Sequence, residues 1–263
     1  MVSARSTFLW LCAALAVAGC NGKPPTAGAA SGGESAGDSA QESDLAPPRV
    51  ELVQGGIGGV TLLGSAPAGG EVRLAQPTGQ ALLASVDTQG RWAIAVPPAN
   101  EPRIFGLSVA VRGRRAQAEG YVLVTPTGQA ALLRAGTSAV RLDSLPQPGL
   151  RAVDFDRGGG MEVSAVVPAG ATVVVRLDGH QAAEGRADAA GRYRVSLGGS
   201  TGVKPGLHQV QLYGDGFTDQ VAVQISPAQP LAQGPLHSQL TPVGLRVDWM
   251  TPGGGVQSTL LVH

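Results

Sequence analysis

The sequence predicts an all-β protein: two antiparallel β-sandwiches in series, preceded by a signal peptide and a disordered tether and followed by a C-terminal β-hairpin. Three observations predict it. Apolar residues alternate in short runs, so that Trp92, Ile94 and Val96 share one face, as do Val173, Val175 and Leu177. A gapless internal repeat runs through the chain at an offset of 101 residues. Finally, 39 glycines and 19 prolines break helices and multiply turns, while charged residues make up only 14%, as suits small β-domains with short loops.

Residues 1–19 have the layout of a secretory signal. Arg5 supplies the basic start, residues 8–18 form an apolar run too short to span a bilayer, and small residues follow. The stretch Val17-Ala18-Gly19-Cys20 resembles the lipobox of bacterial lipoproteins. That resemblance implies cleavage before Cys20, a diacylglyceryl group on its thiol and, as a rule, an acyl chain such as palmitate on the new amino terminus. The mature protein is then anchored to a membrane without crossing it. Buried acyl chains contribute about 0.8 kcal/mol per CH₂, so two or three together hold firmly. Asn21, where an acidic residue would favour inner-membrane retention, points to the outer membrane, facing the periplasm. Cys12 leaves with the signal and Cys20 is consumed by the lipid, so no disulfide is available.

Residues 20–48 carry the modified cysteine and then Gly, Ala, Ser, Pro and a few acids, with almost no large apolar side chain. Such a segment cannot offset its ordering entropy and is expected to be a disordered linker, with an end-to-end distance of about 30 Å.

Residues 49–143 and 149–227 are the two repeat units. Pro67-Ala68-Gly69 recurs as Pro168-Ala169-Gly170, Gln80-Ala81 as Gln181-Ala182, and Asp87, Gly90 and Arg91 as Asp188, Gly191 and Arg192. The Asp-x-x-Gly-Arg motif predicts a tight turn, because Asp accepts backbone amides and Gly takes positive φ. The strand after it turns Trp92 in the first unit and Tyr193 in the second toward the core. Further strands are expected at 105–111, 121–124, 208–213 and 221–225. This order of turns and strands resembles bacterial immunoglobulin-like and carboxypeptidase-regulatory-like modules. The resemblance implies sandwich domains used as spacers and binding units on secreted proteins, and it specifies no particular role.

In residues 234–263, Leu245, Val247 and Trp249 alternate, Thr251-Pro252-Gly253-Gly254-Gly255 makes a turn, and 256–262 reads as the return strand. An isolated hairpin is marginal in water. It is therefore expected to dock on the second unit, with Trp249 buried or lining a groove.

Motifs that could carry chemistry are sparse. Gly198-Gly199-Ser200-Thr201-Gly202 matches the nucleophile-elbow pattern, but Val203-Lys204-Pro205-Gly206 cannot open the helix that an elbow requires, so the match reads as a loop. Asp154, Asp156 and Asp188 would serve calcium if they converged; otherwise they are turn formers. His180, His208, His237 and His263 lack metal-ligand spacing, so no metal site is expected. Possible ligand contacts are Trp249 and the basic cluster Arg112, Arg114 and Arg115, which reads otherwise as a solvated turn. Loss of Arg5 with the signal leaves one more acid than base, which excludes the basic surplus of a nucleic-acid binder. The reading is a lipid-anchored envelope protein, not an enzyme, with no cofactor beyond its covalent lipid. Its modules act as a scaffold or protein-interaction unit, for which exposed sheet edges are suited. The alternative is a glycan- or cell-wall-binding module with an aromatic platform from Trp249, Tyr213 or Phe217.

Overall fold

The computed structural model describes residues 45–263 apart from Ile57, Ser144, Pro146, Ser200, Thr201 and Gln229. The signal, Val17, Ala18, Gly19, Cys20 and most of the linker lie outside the described residues. Those residues form nineteen β-strands and no α-helix.

The first module pairs β1 (Arg49–Gly56), β2 (Gly59–Ser65) and β5 (Arg91–Val96) in one antiparallel sheet. Its second sheet runs, in spatial order, β4 (Ala81–Ser85), β3 (Glu71–Ala75), β6 (Arg103–Val111) and β7 (Arg114–Val124). Alternation does the sorting: Trp92, Ile94 and Val96 point inward from β5 and meet Leu62, Val72, Leu74 and Phe105.

The second module repeats the plan. One sheet holds β13 (His180–Arg186), β12 (Thr172–Leu177), β15 (Gly206–Gly214) and β16 (Phe217–Ile225). The other begins β14 (Arg192–Leu197), β11 (Met161–Val166), β10 (Gly149–Phe155). β5 and β14 are related by the 101-residue offset along their whole length. The turns repeat in their backbone caps, and the first adds an ion pair of Arg91 with Asp87 Oδ2 at 3.1 Å. Asp87 Oδ1 accepts the amides of Gln89 and Arg91 at 2.9 and 2.8 Å; Asp188 Oδ1 accepts those of Ala190 and Arg192 at 2.8 Å each. Gly90 and Gly191 supply the positive φ, 79° and 75°. The strand that follows places Trp92 opposite Gly64 and Tyr193 opposite Ala165, equivalent positions in the two modules.

Each module then grows by strands that have no counterpart in the other. The first adds β8 (Ala130–Leu133) and β9 (Val140–Arg141) beyond β7. The second adds β17 (Leu236–Thr241), β18 (Gly244–Met250) and β19 (Val256–Val262), with β19 paired to β10. The expected hairpin is the β18–β19 pair. It continues the sheet of the second module rather than lying on it, and β17, which the sequence reading did not anticipate, forms the outer edge.

Candidate functional site

The added strands face one another. Ile104, Leu123, Ala131 and Leu133 of the first module pack with Ala152, Leu245, Val247, Trp249 and Leu261 of the second in an apolar cluster separate from the two sandwich cores. In β7, Val122 and Val124 enter the first core while Leu123 enters this junction; in β19, Leu260 and Val262 enter the second core while Leu261 enters the junction. These strands are buried on both faces, and their runs Val122-Leu123-Val124 and Leu260-Leu261-Val262 are apolar without a break.

Trp249 is the centre of the junction. It is fully buried, the edge of the Tyr121 ring meets it at a centroid distance of 6.0 Å and an angle of 81°, and its indole N–H donates to Thr259 Oγ1 at 3.1 Å. Trp249 is thus a packing residue and cannot serve as a ligand platform.

A polar clamp runs along the apolar cluster. Gln257 Oε1 accepts the Gly136 amide at 2.9 Å, and its Nε2 faces the carbonyls of Arg134 and Thr137, each at 3.3 Å. Asp154 accepts the Ala139 amide at 2.7 Å, Gln257 Nε2 at 3.2 Å and the Thr259 hydroxyl. Ser164 Oγ donates to the Ala139 carbonyl at 2.9 Å, and Arg141, paired with Asp143, donates to the Val262 carbonyl at 2.6 Å. The segment joining the modules is therefore tied to β10, β11 and β19. Burial pushes the Asp154 carboxyl up to about 7, with Glu162 adding to the rise, against the three hydrogen bonds that favour its charged form.

The other residues marked in the sequence stand apart from this junction. Arg112 (φ 48°) and Gly113 (φ 80°) form the two-residue turn between β6 and β7, with both central φ values positive as a type I′ turn requires; Arg112, Arg114 and Arg115 are exposed. Asp156 caps its own turn through the amides of Gly158 and Gly160, and Asp188 caps the repeat turn. Together with buried Asp154 they make three separate structural roles. Among the described residues no three His, Cys, Asp or Glu side chains gather where they could hold a metal ion. Of the histidines, His208 pairs with Asp178 at 2.7 Å, and His180, His237 and His263 are exposed. Tyr213 lies under the Arg176 guanidinium at 5.1 Å, and Phe217 packs against the second core, so neither joins Trp249 in an aromatic platform. Of the described parts of 198–202, Gly199 lies in a 3₁₀ turn, and the chain that follows enters β15 with no α-helix.

At the rim of the junction lies a groove of about 350 Å³ between the modules. The first module contributes Arg134, Arg141 and the approach to β1, Pro47–Arg49; the second contributes Arg192 and Arg194 from β14. Sequence reasoning passed over these arginines, because they are dispersed along the chain and converge only through the junction.

No family model matches the chain, and no curated protein is similar to it. Several solved structures are, two of them as follows. A biofilm associated protein, BSP domain, shares 15% identity over 69% of this chain and 30% of its own, with a TM-score of 0.24. The central fibronectin-III array of RIM-binding protein shares 11% identity over 83% of this chain and 89% of its own, with a TM-score of 0.25. The chain thus spans about a third of the length of the first and most of the second.

Proposed function

We propose that this chain is a lipid-anchored protein of the bacterial envelope, held at Cys20 to the outer membrane on its periplasmic face, whose two immunoglobulin-like modules act as a rigid, non-catalytic scaffold. The observation that supports this reading is the junction: an apolar cluster around Trp249, flanked by the Asp154–Gln257 clamp, joins two sandwiches that would otherwise be beads on a string. A tether of about 28 residues that is expected to be disordered lets a rigid body stand off the anchor and reorient, and exposed sheet edges such as β4, which carries no charged side chain, suit a partner strand. No helix among the described residues is long and apolar enough to cross a membrane, and the lipid supplies the attachment in this reading.

Two experiments test it. Metabolic labelling with a palmitate analogue should mark the wild-type protein, and Cys20→Ser should abolish the label; undiminished membrane attachment of the unlabelled variant would remove the anchor. Crosslinking in intact cells, with recovery through a C-terminal tag and mass spectrometry, should return a discrete envelope protein. Recovery of saccharide fragments alone would favour the second reading, a cell-wall or glycan binder, which the arginine-lined groove supports.

A further inference from the structure

The positive charge of this chain is almost entirely arginine; Lys23 and Lys204 are the only lysines. Arginine presents a planar fork of donors that matches phosphate and carboxylate oxygens two at a time. Most of the described arginines are engaged at home. Arg141 holds Asp143 and the Val262 carbonyl, Arg151 reaches the carbonyls of Gln147 and Leu150, and Arg246 binds Asp248 and Ser226.

The groove is different. Arg192 and Arg194 stand two residues apart on β14, an edge strand, so both project from the same face of the sheet, and both are exposed. Neither guanidinium makes a side-chain hydrogen bond or a close ion pair among the described residues; Asp188 acts on both only through space. Across the groove, Arg134 spends one amino group on the Ser138 carbonyl at 3.2 Å, while its Nε is buried without an acceptor. Asp188, the acid nearest in chain to the β14 pair, gives its Oδ1 to the amides of its own turn and bonds neither guanidinium.

The remaining lining completes a chemical profile. Leu132 and Leu142 offer apolar surface, and Glu119 offers acceptor oxygens. Glu51 is already occupied by the Ser65 hydroxyl at 2.5 Å. Charge-matching guanidinium groups, one acceptor carboxylate and aliphatic walls fit a sugar ring that carries an acidic group. The volume of about 350 Å³ suits one such unit, and a recess between modules receives a projecting group better than a flat bilayer surface.

We infer that the groove between the modules binds an anionic saccharide, a sugar bearing phosphate or carboxylate, with Arg192 and Arg194 on one wall and Arg134 on the other receiving its charge. Partial burial and the charges of Arg134 and Arg192, opposed by Asp188, depress the Arg194 pKa below the ordinary guanidinium value, and a bound anion would offset the repulsion among the arginines. The inference rests on the saccharide-binding reading above. The rigid scaffold stands without it.

The test titrates the full chain in detergent with glucose 6-phosphate, polygalacturonate, neutral dextran and, separately, phosphatidylglycerol dispersed in mixed micelles of the same detergent. The expected result is binding of at least one anionic saccharide, none of dextran, and a loss of about tenfold or more in affinity for the Arg192→Gln, Arg194→Gln double variant. The control, Arg112→Gln with Arg115→Gln, removes the same charge from the β6–β7 turn and should leave affinity unchanged. Three results overturn the inference: equal loss in the control, no binding of either anionic saccharide at about 1 mM, or binding of the phosphatidylglycerol alone. Because β14 keeps its core residues in the double variant, an unchanged unfolding profile separates failure of the groove from failure of the scaffold.

Discussion

Replacing Asp154 with Asn should remove a pH dependence that the junction builds into this protein. The side chain is wholly enclosed, and its three partners, the Ala139 amide, the Gln257 amide group and the Thr259 hydroxyl, all donate. Burial nonetheless wins and raises the carboxyl to about 7, against 3.8 for the ordinary side chain. A folded pKa above the unfolded one means that the native state holds the proton more tightly. Stability from this group is therefore fully present below about pH 4 and is lost as pH rises toward 7, levelling off above it. The interval of roughly three pK units corresponds to about 4 kcal/mol at 1.36 kcal/mol per unit. Asn cannot ionise, although its amide must face at least one of the three donors, at a constant cost of about 1–3 kcal/mol. Urea unfolding of wild type and D154N at steps from pH 4 to pH 8 gives the difference between them. That difference should move in the variant's favour by about 4 kcal/mol across the range. A flat difference would refute the reasoning, because it would mean that the carboxyl keeps an ordinary pKa. A shift in the opposite direction would refute it more strongly, by showing that three donors outweigh burial.

Trp249→Ala removes the largest side chain of the junction and should cost about 3–5 kcal/mol in unfolding free energy; small-angle scattering should show the two modules departing from one fixed arrangement, and an unchanged profile would place the rigidity elsewhere. Gly64→Ala puts a Cβ 1.9 Å from the Arg49 carbonyl and 2.6 Å from the Trp92 ring, so the first module should lose about 3 kcal/mol or more, measured by thermal melting. Asp87→Ala and Asp188→Ala remove equivalent turn caps and should lower the melting temperature by similar amounts, with additive effects in the double variant. Strongly unequal effects would show that the two turns are equivalent in geometry alone.

The modules were legible because their signals are local. Period-two alternation in β5 and β14, the Asp-x-x-Gly-Arg turns and the constant offset each lie within a few residues, and each reappears in the structure at the expected place. The junction was less legible. Its mark is the unbroken apolar run in β7 and β19, which says that both faces are covered without saying by what. β17 carried still less, since Leu236-His237-Ser238-Gln239-Leu240-Thr241 leaves Leu240 largely exposed and buries little on either face. The arginines invert the usual inference from density. Arg112, Arg114 and Arg115, adjacent in sequence, decorate a turn, whereas Arg134, Arg192 and Arg194 share a groove although 58 residues separate the first from the second. Convergence of that kind depends on how two sheets meet, which no window of the sequence contains.

The pairing of β10 with β19 also imposes an order of assembly. Ala152 must wait for Leu261, roughly a hundred residues later, and closure over such a distance belongs to the slow steps of folding. Until residues 256–262 arrive, β10 is an open edge, the surface of Trp249 has no finished seat, and nothing ties Gln257 to the segment between the modules. A nascent chain is thus jointed at residues 134–143. The joint sets only when the strand that fills it has emerged.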